Sequence, residues 1–248
     1  MIFDTHCHYN LDPLYQDWQK HWQKAQAHGV QKTIVVGTNL ESSRRAIEIT
    51  AQEPNLMAAI GIHPSEKNLA DQTRRLEELI SEEVVAIGET GLDYFRLDRN
   101  LPEFETTIQA QKLAFINHIK LANQHQLDLI IHVRDKKTPE TPTPGNAYWD
   151  TIQILENHPS QQKFTLHCVS GPTSYIKKAI QLGAYFGIAG NITYKNADHL
   201  RDLVRIIPSE KRVLETDAPY LAPQKYRGQV CEPWMIVETD QVMKKFAE

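Results

Sequence analysis

The sequence predicts an α/β fold, a closed (β/α)8 TIM barrel, on three observations. Short β-branched runs alternate with longer segments of helical period, the pattern of parallel βα units. Eight such runs occur, and 248 residues shared among eight gives 31 per unit, which suits a βα repeat of roughly 30 residues. The G-x-G-x-x-G turn expected after the first strand of an open doubly wound sheet is absent, and His6-Cys7-His8 stands in its place.

In chain order the expected strands are Ile2 to Asp4, Thr33 to Val36, Leu56 to Ile60, Val84 to Ile87, Leu127 to Ile131, Phe164 to Leu166, Ala184 to Ile188 and Arg212 to Leu214. Between them, Trp18, Trp22 and Ala25 recur at helical spacing before Gly29. Leu76, Leu79 and Ile80 mark another helix, and Phe104, Ile108, Phe115, Ile119 and Ala122 mark one face of a long one after Pro102. Ile152 and Leu155 precede Pro159, Tyr175, Ala179 and Leu182 precede Gly183, and Leu200, Leu203, Val204 and Ile207 precede Pro208, each with its own stop signal. Lys136 to Gly145 is too rich in Pro and Thr to continue either element, so it reads as a loop after strand five, a tolerated surface segment. Eight units consume the chain, and residues 1–248 form one expected domain.

Composition excludes several classes. Charged residues make up 23% and hydrophobic residues 41%, which excludes disorder for most of the chain. No run approaches the roughly 18 apolar residues of a membrane span, and Met1 to His6 has neither the basic start nor the apolar stretch of a signal peptide, so a cytosolic, cytoplasmic location is expected. With 27 Lys and Arg against 31 Asp and Glu the net charge is −4, so any contact with a polyanion must be local. Cys7, Cys168 and Cys231 lack C-x-x-C spacing and read as reduced thiols.

A barrel of this kind carries its active site at the C-terminal ends of its strands. Six of the eight ends carry His or a carboxylate: Asp4-Thr5-His6-Cys7-His8, Gly61-Ile62-His63-Pro64, Gly88-Glu89-Thr90-Gly91-Leu92-Asp93, His132, His167 and Glu215-Thr216-Asp217. Residues i and i+2 of an extended chain point to one side, so His6 and His8 can present two imidazoles to one ion while Cys7 points away. Glu89, flanked by glycines, can use its two oxygens to bridge two cations, with His132 and His167 holding the second. Asp217 closes the ring beside strand one and can accept a proton from an attacking water. Each histidine alone is as readily a hydrogen-bonded rim residue; the specificity lies in the set, which suits a two-metal hydrolytic centre.

Trp18, Trp22 and Trp149 fall on apolar helical faces and read as packing rather than base-stacking platforms. Tyr94, Phe95 and Arg96 follow Asp93 at the mouth, where stacking, phosphate contact and local packing are all open. Lys136 and Lys137 beside Arg134 read as a solvated charge run.

Phe3-Asp4-Thr5-His6-Cys7-His8, Gly61-Ile62-His63-Pro64, Gly88 to Tyr94, Ile131-His132-Val133-Arg134-Asp135, Leu166 to Gly171 and Leu214 to Pro223 together resemble the TatD-like metal-dependent deoxyribonucleases of the amidohydrolase superfamily, over residues 1 to about 233. The resemblance implies His6, His8, Glu89 and Asp217 around one metal ion and Glu89, His132 and His167 around another, with Asp217 and Glu89 catalytic. It implies two divalent cations, magnesium in function with zinc or manganese as substitutes, and 3′-to-5′ removal of nucleotides from single-stranded DNA or RNA. His63, Asp93, Arg134 and Ser170 would face the substrate. Two departures stand out: Val230-Cys231-Glu232-Pro233 replaces the family's Arg-Asn-Glu-Pro, and the C-terminal segment is shorter than the family's. Two other readings remain: an esterase, lactonase or aminoacyl-tRNA deacylase of the same superfamily, and a non-catalytic metal-bound scaffold.

Overall fold

In the computed structural model, which describes residues 2–246, all eight strands lie in one parallel sheet in the order β1 to β8. They are β1 (Ile2–Cys7), β2 (Val30–Val36), β3 (Leu56–Ile60), β4 (Val84–Asp93), β5 (Asp128–Arg134), β6 (Phe164–Leu166), β7 (Tyr185–Ile188) and β8 (Arg212–Leu214). Eight helices alternate with them: α1 (Trp18–Ala27), α2 (Leu40–Thr50), α3 (Leu69–Arg75), α4 (Glu103–His125), α5 (Ala147–Asn157), α6 (Thr173–Gln181), α7 (Asp198–Ile206) and α8 (Ile236–Lys244). No helix among the described residues is long and apolar enough to cross a membrane. The expectation about the C-terminal end concerns residues outside the described range.

The seam between β8 and β1 closes just beyond the last strand. The Asp217 N–H donates to the His6 carbonyl and the His8 N–H to the Ala218 carbonyl, both at 2.8 Å. Beneath them the buried Asp4 carboxylate accepts from the Thr216 N–H at 2.9 Å and the Thr216 hydroxyl at 2.7 Å. The barrel is therefore closed by the backbone of the candidate ligands His6, His8 and Asp217 and by the residues beside them.

Several boundaries differ from expectation, for one reason. β1 continues through His6 and Cys7 and β4 through Glu89 to Asp93, because polar residues inside a barrel mouth keep their ladder pairing; Thr90 to Asp93 still pair with Ile131 to Arg134. The pairing breaks between Ile87 and Thr90, and there the Glu89 N–H turns to the Gly37 carbonyl at 2.9 Å. Leu76 and Leu79, expected on an α-helix, lie on a 3₁₀ turn following α3, with Leu76 fully buried. Trp18 and Trp22 are core residues, as their spacing indicates. Trp149 is partly buried, and its indole N–H donates to the Pro139 carbonyl at 2.9 Å.

That last bond belongs to a correction. The 136–145 loop lies on the surface as expected, but it is fastened at its middle and at its base. The Glu140 carboxylate accepts the Thr173 and Ser174 N–H groups at the start of α6, at 3.1 and 2.9 Å, and Asp135 accepts Arg99 and the Ala147 N–H.

His118 on α4 shows how the helical layer grips a strand end. It is fully buried, its Nδ1 donates to the Ala114 carbonyl at 2.7 Å, and its Nε2 accepts the Ile62 N–H at 3.2 Å, next to His63. Burial holds its pKa down at about 4, so it is neutral in the fold. A histidine depressed from 6.5 contributes fully above pH 6.5 and loses that contribution as pH falls toward 4. Stability against thermal unfolding should therefore fall as pH drops through this interval, by up to about 3 kcal/mol from this residue. His118→Gln, which keeps an acceptor but cannot take up the proton, should flatten that part of the pH profile.

Candidate active site

The donors converge where the strand ends meet. His6 and His8 fall on one side of β1, as alternation requires, with their Nε2 atoms 3.2 Å apart and their rings edge to face. Cys7 between them joins the apolar core. The His8 Nδ1 donates to the Val36 carbonyl at 2.8 Å, which leaves its Nε2 lone pair facing the cluster. Asp217 lies opposite, with Oδ1 at 3.3 Å from His8 Nε2 and 3.8 Å from His6 Nε2.

Glu89 sits at the centre, 4% exposed, with each oxygen serving a different set. Its Oε2 lies 3.5 Å from His6 Nε2 and 3.8 Å from His8 Nε2. Its Oε1 lies 2.8 Å from His132 Nδ1, 3.7 Å from His63 Nε2 and 3.9 Å from His167 Nε2. The expected ligands thus come together, with two refinements. His167 stacks on His6, centroids 3.8 Å apart, and its Nε2 is 3.7 Å from Asp217 Oδ1, so it faces both donor sets. His63 and Asp93, expected toward substrate, gather with His132 as a third donor group, His132 Nε2 lying 3.2 Å from Asp93 Oδ2.

The backbone makes room for this crowding. A Cβ on Gly91, at φ +135°, would stand 2.1 Å from the His132 carbonyl oxygen. Asp217 and Cys168 adopt left-handed backbone, φ 58° and 48°, a cost that folds tolerate mainly where function fixes geometry.

The electrostatics match a cation-binding site. Burial alone would raise the Glu89 pKa, yet the neighbouring His63 ring and the bonds from His132 and His6 hold it well below the usual carboxylate range. Asp217 is likewise pulled down against its burial, by His167 and His8. Burial opposes protonation of His167, but Glu215 and Asp217 push its pKa up to about 10; His132, between Glu89 and Asp93, reaches about 8. Protons thus sit among ionised carboxylates, where a divalent cation would displace them. The fit is also seen in the nitrogen atoms: His6 and His8 turn Nε2 atoms toward one another at hydrogen-bond distance, and the Nδ1 of His6 is buried without a partner among the described residues. Imidazole and carboxylate donors in this number suit zinc or manganese and, through the carboxylates, magnesium.

The cluster floors an open cavity of about 430 Å³, whose walls include Arg134, Arg96 and the half-exposed Tyr220. Arg134 is carried on the Phe95 ring, 4.0 Å from its centroid. Tyr94 is instead buried, bonded to Asp150 at 3.1 Å, so the open reading of that triplet resolves into packing for Tyr94 and mouth positions for Phe95 and Arg96. Ser170 does not line this cavity; its hydroxyl meets the Tyr148 phenol at 3.3 Å behind His167. Cys231 is buried, its N–H on the Pro219 carbonyl, and Glu232 pairs with Lys24, so the departed motif is built into the fold.

Sequence reasoning missed Glu215 and Gly187. The fully buried Glu215 accepts the Cys168 N–H at 2.6 Å and stands 3.0 Å from His167 Nδ1. Its carboxylate lies across Gly187 of β7, where any Cβ would approach it to 2.1 Å. Glu215 is part of a strand-end motif, but nothing in its spacing separates an ion ligand from a residue that orients one. Its charge beside the His167 Nδ1 draws the imidazole proton to that atom and leaves Nε2 toward the cluster, an electrostatic counterpart of the Val36 hydrogen bond to His8. Glu215→Gln should therefore weaken divalent-metal binding by about 10- to 100-fold in calorimetric titration, with the fold retained by circular dichroism.

The family model described as TatD related DNase matches residues 3–248. An uncharacterized metal-dependent hydrolase of Escherichia coli (strain K12), YcfH, is 31% identical over 251 residues, covering 98% of this chain and 86% of the relative. An uncharacterized metal-dependent hydrolase of Mycoplasma pneumoniae is 33% identical over 253 residues, covering 97% and 90%. The crystal structure of YjjV, a TatD homologue from Escherichia coli K12, superposes with a TM-score of 0.84 at 27% identity, covering 99% of this chain and 90% of that one. Sequence and fold agree along the same barrel whose mouth gathers the imidazoles and carboxylates, and the chain belongs to the TatD family of metal-dependent hydrolases.

Proposed function

We propose that the protein is a two-metal phosphodiesterase that removes nucleotides from the 3′ end of single-stranded DNA or RNA. The observation that carries this reading is Glu89, whose two oxygens face two separate imidazole sets on the floor of a cavity that also receives the Arg134 guanidinium. His6, His8, Asp217 and Glu89 Oε2 would hold one ion, and Glu89 Oε1, His132 and His167 the other. Such ions make water nucleophilic near neutral pH and neutralise charge on phosphoryl oxygens.

The chain's own residues supply the rest. Asp217, held ionised, lines the cavity and accepts the proton released from the attacking water at Oδ1. The His63 Nδ1 accepts the Ser65 N–H at 3.1 Å, which places its proton on Nε2, toward Glu89 and the cavity. Burial holds this ring down at about 4, so it serves as a neutral hydrogen-bond donor to the leaving oxygen. Arg134 binds a phosphate oxygen, and Tyr220 offers a face to a terminal base. The polarity of cleavage and the choice of nucleic acid rest on the family resemblance.

End-labelled single-stranded DNA and RNA, incubated with magnesium, manganese or zinc, should be shortened from the 3′ end. Chelation and Glu89→Ala should each reduce this by at least about 10³-fold. Activity surviving both would contradict the reading. Preferred hydrolysis of carboxylic esters, lactones or aminoacyl-tRNA in a parallel panel would assign the site to carbonyl chemistry, and bound metal with no hydrolysis would make it a scaffold.

A further inference from the structure

Beside the donor cluster lies a second, larger cavity of about 720 Å³, between the approach to α3 and the first half of α4. Both cavities are lined by Ser65, Glu66, Asp93 and Arg96, so they form one continuous depression with the catalytic floor at one end. A small ester needs only the first; about 300 to 1,000 Å³ already encloses a drug-sized ligand. On the α4 side the second is lined by the short side chains of Thr106, Thr107 and Ala110, with Leu97 also in its lining, and it is an open trough rather than a closed pocket.

The charges at the junction narrow the occupant. Arg96 and Arg134 have no carboxylate within 4.0 Å among the described residues, whereas Arg99, Arg201 and Arg205 each have one. Stacking on Phe95 orients Arg134 without neutralising it. On the other side, Glu66 accepts Asn39 at 3.2 Å and Asp93 is engaged by His132, which confines an anion to the arginine side. Two uncompensated guanidiniums between a hydrolytic floor and an open trough fit a ligand with repeated phosphates.

We propose that the trough along α4 is a subsite for the nucleotides preceding the scissile bond, with Arg96 and Arg134 taking the phosphate at the junction, so that the ligand is a single-stranded oligonucleotide of several residues rather than a mononucleotide ester. This rests on the phosphodiester reading above. With metal-loaded protein, the KM should fall by about tenfold from dinucleotide to tetranucleotide while kcat stays within about twofold. Ala110→Trp, which places a large ring in the trough from an exposed helix position, should abolish the length dependence. An uncleavable phosphorothioate tetranucleotide with a photoreactive internal base should crosslink wild-type protein within 97–110. A KM independent of length, a length effect that survives Ala110→Trp, or crosslinks confined to other segments would overturn the subsite. Failure to hydrolyse an oligonucleotide of any length would overturn the phosphodiester reading itself.

Discussion

A carboxylate taken out of water at the centre of a barrel is the constraint from which the rest follows. Glu89 is nearly inaccessible and stays ionised, which burial opposes by several kcal/mol for an unpaired ion. Five histidines from four strand ends surround it, and the orientations of three are set by a further layer: Val36 beside His8, Glu215 beside His167, Ser65 beside His63. Removing the central charge would leave the imidazoles facing one another across a space none of them can fill.

The same constraint shapes the backbone. β4 leaves its ladder at Glu89 so that this residue can reach inward, and glycines flank it because neighbouring strands pass where side chains would stand. The seam from β8 to β1 is tied through His6, His8, Asp217 and Ala218, so closing the barrel and assembling the donor set are one event. Such sites, built on strands and on the residues directly following them, keep their geometry at the precision that catalysis requires.

Most of this was legible in the sequence where a residue type has few alternative uses. Three strands match their expected bounds, and the H-x-H alternation placed His6 and His8 correctly because extended chain has a period of two. The Trp18 and Trp22 stripe read correctly as core. What stayed hidden depends on contacts between distant strands. Gly187 looks like any strand glycine until Glu215 is seen lying over it, and the joining of His63 and Asp93 to His132 follows from β3, β4 and β5 standing side by side. Ser170 follows a ligand in sequence yet turns behind it, because Cys168 takes the chain through left-handed backbone. The Thr- and Pro-rich loop reads as surface because composition carries no sign of Glu140 capping α6 from outside.

The central claim is that Glu89 joins two cation sites. Anomalous diffraction from crystals of the protein loaded with manganese or zinc tests it most directly. The account predicts two anomalous peaks, one beside each Glu89 oxygen, the first against His6, His8 and Asp217 and the second against His132 and His167. A single peak, or two peaks neither of which Glu89 touches, would contradict it.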